Sequence, residues 1–148
     1  MSRAILHATD FSSASRAAFA KAVDMARREH APLLITHVMI PPMPMMAGDG
    51  YIPPATWDAI AKGYRRTSQK KLDALVRRAK SAGARARGLL VEGTPAADVI
   101  VRAARGRHAG SIVLGTHGRS GVARVLLGSV ASRVVATARC PVTTVRGR

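Results

Sequence analysis

Short runs of branched apolar residues alternate with helical patterns along the chain, and this alternation constrains the fold more than any other feature. Strands are predicted for residues 3–9, 33–38, 85–91, 111–114 and 142–145, with 85–91 nearer a sheet edge. Helical spacing fills most of the segments between them. Such alternation predicts a parallel sheet with helices on both faces and right-handed crossovers. We therefore expect one α/β domain over residues 1–148, a Rossmann-like three-layer sandwich with a five-stranded, mostly parallel sheet.

The helical segments carry recognisable boundaries. Apolar residues recur every three or four positions in a first helix, which Pro32 ends, and in a long amphipathic helix over residues 55–82. Gly83 follows the long helix as a C-terminal glycine would. Thr94 and Pro95 predict the start of a third helix, with Thr94 as N-cap. A fourth helix is expected from 129 to 139, with Val130, Val134 and Val135 pointing inward.

Residues 39–54 interrupt the alternation with five prolines and several methionines. Proline lacks a backbone donor and therefore excludes a helix or a central strand there. A long loop of this kind is typical of a lid, a binding loop or a flap. Its methionines can form an adaptable apolar surface or fill a local gap.

Composition and charge narrow the class of protein. Cys140 is the single cysteine, which excludes an intrachain disulfide and a cysteine-cluster metal site. Neither a membrane span nor a signal peptide is predicted, so a cytoplasmic location is expected.

The net charge is +16, and residues 62–87 alone carry ten basic groups against a single acidic residue, Asp73. A field of this sign attracts anions, or it is a solvated basic face. Signals for nucleic-acid recognition are missing, so we expect at most weak, non-specific binding of nucleic acid and no membrane insertion.

Polar and glycine-rich segments follow three of the predicted strands. They are Ala8-Thr9-Asp10, His37-Val38, and a stretch from Gly115 to Val130 that is neither a Walker A motif nor a dinucleotide fingerprint. Ligands of open parallel sheets bind outside the carboxyl ends of the strands. The glycines let anionic oxygens approach backbone N–H groups, and Gly128-Ser129 begins a helix whose N-terminus favours phosphate. Turn formation is the alternative interpretation of these glycines.

The pattern Gly115-x2-Gly118-x9-Gly128-Ser129 resembles the ATP-binding signature of the universal stress protein family. The likeness extends in order along the chain through Ala8-Thr9-Asp10, Thr36-His37-Val38, Gly93-Thr94-Pro95 and Cys140-Pro141-Val142. It implies an adenine-nucleotide α-hydrolase-like fold and the ATP-binding subtype of the family. Dimerisation through the last strand, residues 142–145, is implied as well.

The resemblance also implies roles for individual residues. Asp10 would bind the ribose hydroxyls, Val38 would present its backbone to adenine, and Ala8 and Thr9 would line the same pocket. Gly115 and Gly118 would pass close to the ribose and phosphates. Gly128, Ser129 and Val130 would hold the phosphate chain, with Mg²⁺ bridging its oxygens. Arg119 and Arg124, to which the resemblance gives no role, are candidate charge partners for phosphate, with solvated loop arginines as the alternative.

Catalytic candidates are weak by comparison. His117 lies between glycines with no acidic residue nearby in sequence to orient it as a base, and the other histidines lack zinc-ligand spacing. No catalytic or metal-binding residue of the chain is therefore predicted. The resemblance favours an ATP-binding, nucleotide-dependent stress-response or signalling module, as a homodimer. A low-turnover ATPase, or a nucleic-acid-binding protein using the basic helix 55–82, stays open as an alternative.

Overall fold

The computed structural model describes residues 2–40, 50, 52–117 and 127–147. Strands and helices alternate as the sequence predicts. Their order is β1 Ile5–Ala8, α1 Ser15–Arg28, β2 Leu33–Met39, α2 Pro54–Ser81, β3 Ala86–Glu92, α3 Ala96–Gly106, β4 Ser111–Gly115, α4 Ser129–Thr137 and β5 Val142–Val145.

The five strands form one parallel sheet in the order β3-β2-β1-β4-β5. The predicted α/β class and five-stranded parallel sheet are confirmed, and β3 lies at an edge as expected. In the middle of the sheet Ile5 of β1 is opposite Leu33 of β2 on one side and Ser111 of β4 on the other. Strand order therefore reverses at β1, and the crevice between the carboxyl ends of β1 and β4 is the switch point of the fold.

Helices cover both faces of the sheet and bury separate apolar clusters. On one face α1 and α2 pack against β1, β2 and β4. The apolar residues that recur at helical spacing in α1 are all buried, namely Phe19, Ala22, Val23 and Ala26. On the other face α3 and α4 pack against β1 and β4, where Leu6, Ile112 and Leu114 meet Ile100 and Val134. Small alanines recur in both clusters, which lets the helices lie close to the sheet.

Three helices end in a residue with left-handed backbone. Gly83 follows α2 with a φ of +88°, as the sequence predicts, while His30 after α1 and His108 after α3 each have a φ of +50°. Around Gly83, backbone N–H groups of residues 83 and 84 donate to the carbonyls of Lys80 and Ala79. Such bonds satisfy the last carbonyls of a helix. Nothing in the sequence indicates that histidine takes this conformation twice.

Two helix predictions need correction. Helix α3 begins at Ala96 with Pro95 at the N-cap, so Thr94 is not its N-cap. In α4, Val134 is buried, but Val130 is 40% and Val135 is 48% exposed, so these two valines do not point inward. The reason is geometric, because a nine-residue helix contacts the sheet along one row only, which Ala131 and Val134 occupy.

The long helix α2 extends beyond the sheet that it covers. Its buried residues are confined to Ser68, Leu72 and Ala79, whereas Ile60 is 44% and Tyr64 is 36% exposed. The apolar periodicity of the first turns of α2 therefore leaves Ile60 and Tyr64 partly exposed in the described part of the chain. Most of the proline-rich segment, residues 41–49 and 51, lies outside the described part of the chain. Within that part, no helix is long and apolar enough to cross a membrane.

Candidate functional site

The switch point between β1 and β4 receives the N-terminus of α4. The backbone N–H of Gly128, the N-cap of α4, donates to the carbonyl of Thr116 just after β4 at 2.6 Å. This bond fixes the start of α4 against the carboxyl end of β4. The arrangement places a helix N-terminus, with its free N–H donors and positive dipole end, beside the strand ends that bind ligands in such folds.

The chain after β1 makes a tight turn that orients Asp10. The N–H of Ser12 donates to Asp10 Oδ1 at 2.9 Å, and the N–H of Phe11 donates to Thr9 Oγ1 at 3.0 Å. Phe11 takes a φ of +63°, which is uncommon for a bulky residue and marks a constrained turn. Asp10 and Ser12 thus serve this turn, and α1 itself begins at Ser15 with Ala14 at its N-cap.

A histidine on the neighbouring strand β2 hydrogen-bonds to the same turn and packs against it. His37 is buried, and its Nδ1 donates to the carbonyl of Thr9 at 2.8 Å, since a carbonyl can only accept. The Phe11 ring lies against the His37 imidazole with 4.2 Å between centroids, and Lys71 Nζ is 5.7 Å from the centre of the Phe11 ring. The next residue, Val38, is half-buried against the core cluster beneath α3 and α4.

Two glycines, at the end of β4 and at the start of α4, are needed where the backbone packs closely. A Cβ built on Gly128 would lie 2.9 Å from the carbonyl oxygen of Thr116, a backbone atom that cannot move aside. A Cβ on Gly115 would meet the carbonyl oxygens of His117 and Ala14 at 3.4 and 3.5 Å. Gly128 therefore lets α4 approach β4, and a side chain there would push the helix N-terminus out of place.

The first turn of α4 offers unbonded donors to an anion. No side chain of the described residues caps this N-terminus, and Ser129 and Val130 are exposed. An uncapped helix leaves its first N–H groups to water or to a ligand. Backbone N–H groups and the Ser129 hydroxyl at such a position are suited to phosphate oxygens.

His117 adds an imidazole next to these donors. Its Nδ1 lies 3.0 Å from Thr116 Oγ1, and its Nε2 is buried with no hydrogen-bond partner in the structure described. Among the described residues, its hydrogen-bond partner is thus a hydroxyl rather than a carboxylate. Across residues 2–40, 50, 52–117 and 127–147 there is no group of three His, Cys, Asp or Glu side chains that could hold a metal ion.

Most residues that the sequence singled out lie at this edge of the sheet. They are Ala8, Thr9 and Asp10 after β1, Val38 on β2, Gly115 on β4, and Gly128, Ser129 and Val130 at α4. Gly118, Arg119 and Arg124 lie outside the described residues. The sequence reasoning missed Phe11 and Thr116, and it gave no role to the His37 ring. Of these three residues, only His37 could have been found from the sequence, because it lies in a strand-end motif.

Comparisons with known proteins agree with this fold and this motif order. The sequence profile of the universal stress protein family matches residues 1–146. A universal stress protein of Thermus aquaticus is 34% identical over 146 residues, which cover 99% of this chain and 100% of the relative.

Solved structures show the same relationship. The universal stress protein UspA of Lactobacillus plantarum superposes with a TM-score of 0.80 at 26% identity, covering 97% of each chain. A universal stress protein solved in complex with cAMP is 29% identical, with a TM-score of 0.66 and coverage of 99% of this chain and 98% of that one. On the profile match and the identity to its relatives, this chain belongs to the universal stress protein family.

Proposed function

We propose that this protein binds an adenine nucleotide, ATP, at the carboxyl edge of its sheet and acts as a nucleotide-dependent stress-response or signalling module. The observation that carries the proposal is the uncapped N-terminus of α4, which Gly128 and Thr116 fix at the switch point. Asp10 follows the neighbouring strand β1 at the same edge. The cAMP complex of a family member supports the nucleotide class.

The roles follow from the chemistry of each group. The N–H groups of Ser129 and Val130 would donate to the negative phosphate oxygens, which the positive end of α4 stabilises. The Gly128 N–H is bonded to the Thr116 carbonyl, so Gly128 would hold the start of α4 close to the phosphates. The Asp10 carboxylate, oriented by the Ser12 N–H, would accept hydrogen bonds from ribose hydroxyls. Backbone groups near Val38 would meet the adenine edge, with Ala8 and Thr9 beside it and Gly115 close to the ribose. From the sequence alone, we propose that Gly118 passes close to the ribose and phosphates and that Arg119 is a charge partner for phosphate.

The described residues fit a nucleotide better than a protein-bound metal. No carboxylate cluster is present among them, so Mg²⁺ would be held chiefly by phosphate oxygens and water. Among the described residues His117 bonds to Thr116 and to no acid, which supports binding with at most slow ATP hydrolysis. A low-turnover ATPase remains the alternative within this proposal.

The proposal includes a homodimer formed through the open edge of β5, in the cytoplasm. Strand β5 pairs with β4 on one side only in the described sheet. Helix α4, which packs near β5, exposes Val130 and Val135. An unprotected strand edge beside exposed apolar side chains is the kind of surface that a second copy covers.

A direct test is to denature the purified protein and identify any released nucleotide by chromatography, then to titrate ATP into nucleotide-free protein. Asp10→Ala should weaken ATP binding by about 1–3 kcal/mol, the range for a hydrogen bond to a charged group. The variant should also discriminate less between ATP and deoxy-ATP than the wild type does. Asp24→Ala is the matched control, since Asp24 pairs with Arg28 on the surface of α1.

Two results would contradict the proposal. If neither wild type nor control binds any adenine nucleotide at millimolar concentration, the site does not have this function. If Asp10→Ala keeps the full preference between the two nucleotides, Asp10 does not contact the ribose.

A further inference from the structure

A cavity lies near the amino ends of the strands, opposite the carboxyl ends where the nucleotide site is proposed. Its volume is about 530 Å³, and it opens between the C-terminal ends of α3 and α4, above the first residues of β4. We call it the lower groove. Residues at the C-terminal ends of α3 and α4 line it, together with Arg3 and Ile112. A cavity of this size is in the range that small-molecule ligands occupy.

The lower groove has an apolar floor and a basic rim. Ala104, Ala109 and Ile112 are buried, and Val101, Ala138 and Cys140 are half-buried, so these six form the floor. Burial raises the pKa of the Cys140 thiol, so its sulfur stays neutral and behaves as an apolar group. The exposed side chains around the floor are those of Arg3, Arg105, His108, Thr137 and Arg139.

Long-range contacts bring the rim together. The Gly110 N–H donates to the Ala4 carbonyl at 2.8 Å, and the Ile112 N–H donates to the Pro141 carbonyl at 2.9 Å. A Cβ built on Gly110 would lie only 2.8 Å from Cβ of Arg3. The missing side chain at Gly110 therefore lets the N-terminal segment bring Arg3 to the start of β4, within reach of the groove.

Within the described residues, no ion pair neutralises the positive charge of the rim. In the described part of the chain, Arg3, Arg105 and Arg139 form no ion pair. No Asp or Glu lines the groove, and the sequence contains none after Asp98. The last carbonyls of α3 already accept backbone N–H groups, from Arg107 to Ala103 at 3.0 Å and from Ala109 to Ala104 at 2.9 Å. These carbonyls therefore do not require the arginine side chains as caps.

We propose that the lower groove binds an amphipathic organic anion, a carboxylate carrying an alkyl body. Guanidinium groups bind carboxylates through paired hydrogen bonds, and the rim supplies three of them. The floor has no such donors, so it suits methylene groups rather than a compact hydrated ion such as phosphate. This binding is independent of the nucleotide proposal, because the two sites lie at opposite ends of the parallel strands.

The test is calorimetric titration of the wild-type protein with straight-chain carboxylates from butanoate to octanoate, in about 0.15 M salt and below micelle formation. Affinity should rise about two- to fourfold with each added methylene, as expected for partly to fully buried alkyl groups. Octylammonium has the same body and the opposite charge, and it should not bind. Acetate and inorganic phosphate, which lack the alkyl body, should bind far more weakly than octanoate.

Charge-removing variants distinguish a specific carboxylate site from general electrostatic attraction to a basic protein. Replacing both Arg105 and Arg139 with Gln should lower octanoate affinity at least tenfold. The matched control is Arg102→Gln with Arg107→Gln, which removes the same charge from α3 and its C-terminal end without touching the groove. The control should bind octanoate as the wild type does. Circular dichroism and thermal unfolding verify that both double variants fold.

Three outcomes would overturn the proposal. Equal binding of octylammonium would show that charge plays no part. An equal loss of octanoate affinity in the control double variant would show unspecific attraction. Displacement of octanoate by saturating ATP would place the carboxylate in the nucleotide site instead.

Discussion

At the scale of single residues, His7 is the most unusual group in the core. It is fully buried in the central strand β1, where its Nδ1 donates to the Val113 carbonyl at 3.1 Å and its ring lies 5.8 Å from that of Phe19. Its Nε2 has no partner in the described structure. Burial lowers the pKa of His7 from 6.5 to about 4, which the bond to Val113 offsets only in part. His7 is therefore neutral in the folded protein near pH 7.

This burial should make the protein acid-sensitive. Below pH 6.5 the unfolded chain protonates His7 while the folded protein does not, so the free energy of unfolding should fall between pH 6.5 and about 4. His7 alone should account for a loss of about 3 kcal/mol at 1.4 kcal/mol per pKa unit. His7→Leu should remove this part of the pH dependence in urea unfolding, while the surface variant His30→Asn should retain it. Identical pH profiles for wild type and His7→Leu would contradict the assignment.

At the scale of elements, two glycines in or next to helices differ in whether the structure leaves room for a side chain. Gly63 is inside α2, and a Cβ built on it would meet no atom within 4 Å. Gly128 is the N-cap of α4, where the same Cβ would press on the Thr116 carbonyl at 2.9 Å. The first glycine weakens a helix interior, and the second is required by a contact between elements.

Alanine substitution should therefore change stability in opposite directions. Gly63→Ala should stabilise the protein by about 0.5–1 kcal/mol, because alanine has the higher helix propensity. Gly128→Ala should destabilise it by about 1–3 kcal/mol through the forced contact, and it should weaken nucleotide binding by displacing the start of α4. Urea unfolding and ATP titration of both variants measure these effects. A Gly128→Ala protein with wild-type stability would show that α4 adjusts without cost.

At the scale of the whole molecule, the open edge of β5 decides whether the proposed dimer forms. The carbonyls of Pro141 and Val145 accept N–H groups from Ile112 and Thr116. Because backbone groups along a strand alternate in direction, the N–H of Thr144 points to the open edge. Thr144→Pro should thus remove a donor to a second copy and leave the β4 ladder bonded. We expect a shift from dimer to monomer in sedimentation, whereas a wild type already monomeric at high micromolar concentration excludes this dimer.

The distribution of charge gives a further expectation for the molecule as a whole. Exposed Arg66, Lys70 and Arg77 of α2 belong to the most basic segment of the chain. Binding of DNA or RNA should be weak, independent of sequence and lost near physiological salt, because neutralised phosphates release counterions. Reversing the three residues to Glu should abolish this binding and leave ATP affinity unchanged. Sub-micromolar binding at about 150 mM salt would instead favour a nucleic-acid function.

The sequence by itself determined the kind and order of the elements and much of the candidate site. Helical periodicity located the buried face of α1, Gly83 marked the end of α2, and polar residues marked the ends of β1 and β4. These features depend on residues close together in the chain, so turn chemistry and side-chain spacing are enough to predict them. The same local rules gave the wrong burial for Val130 and Val135.

Only the tertiary structure decided what depends on contacts between distant segments. The pairing of β1 with β4 rather than β3 joins residues about a hundred positions apart, and it creates both the switch point and the environment of His7. The lower groove likewise depends on Arg3 reaching Gly110. The positive φ of Phe11 accompanies its packing against His37. Packing across the sheet sets these features, and no pattern within a single segment contains that information.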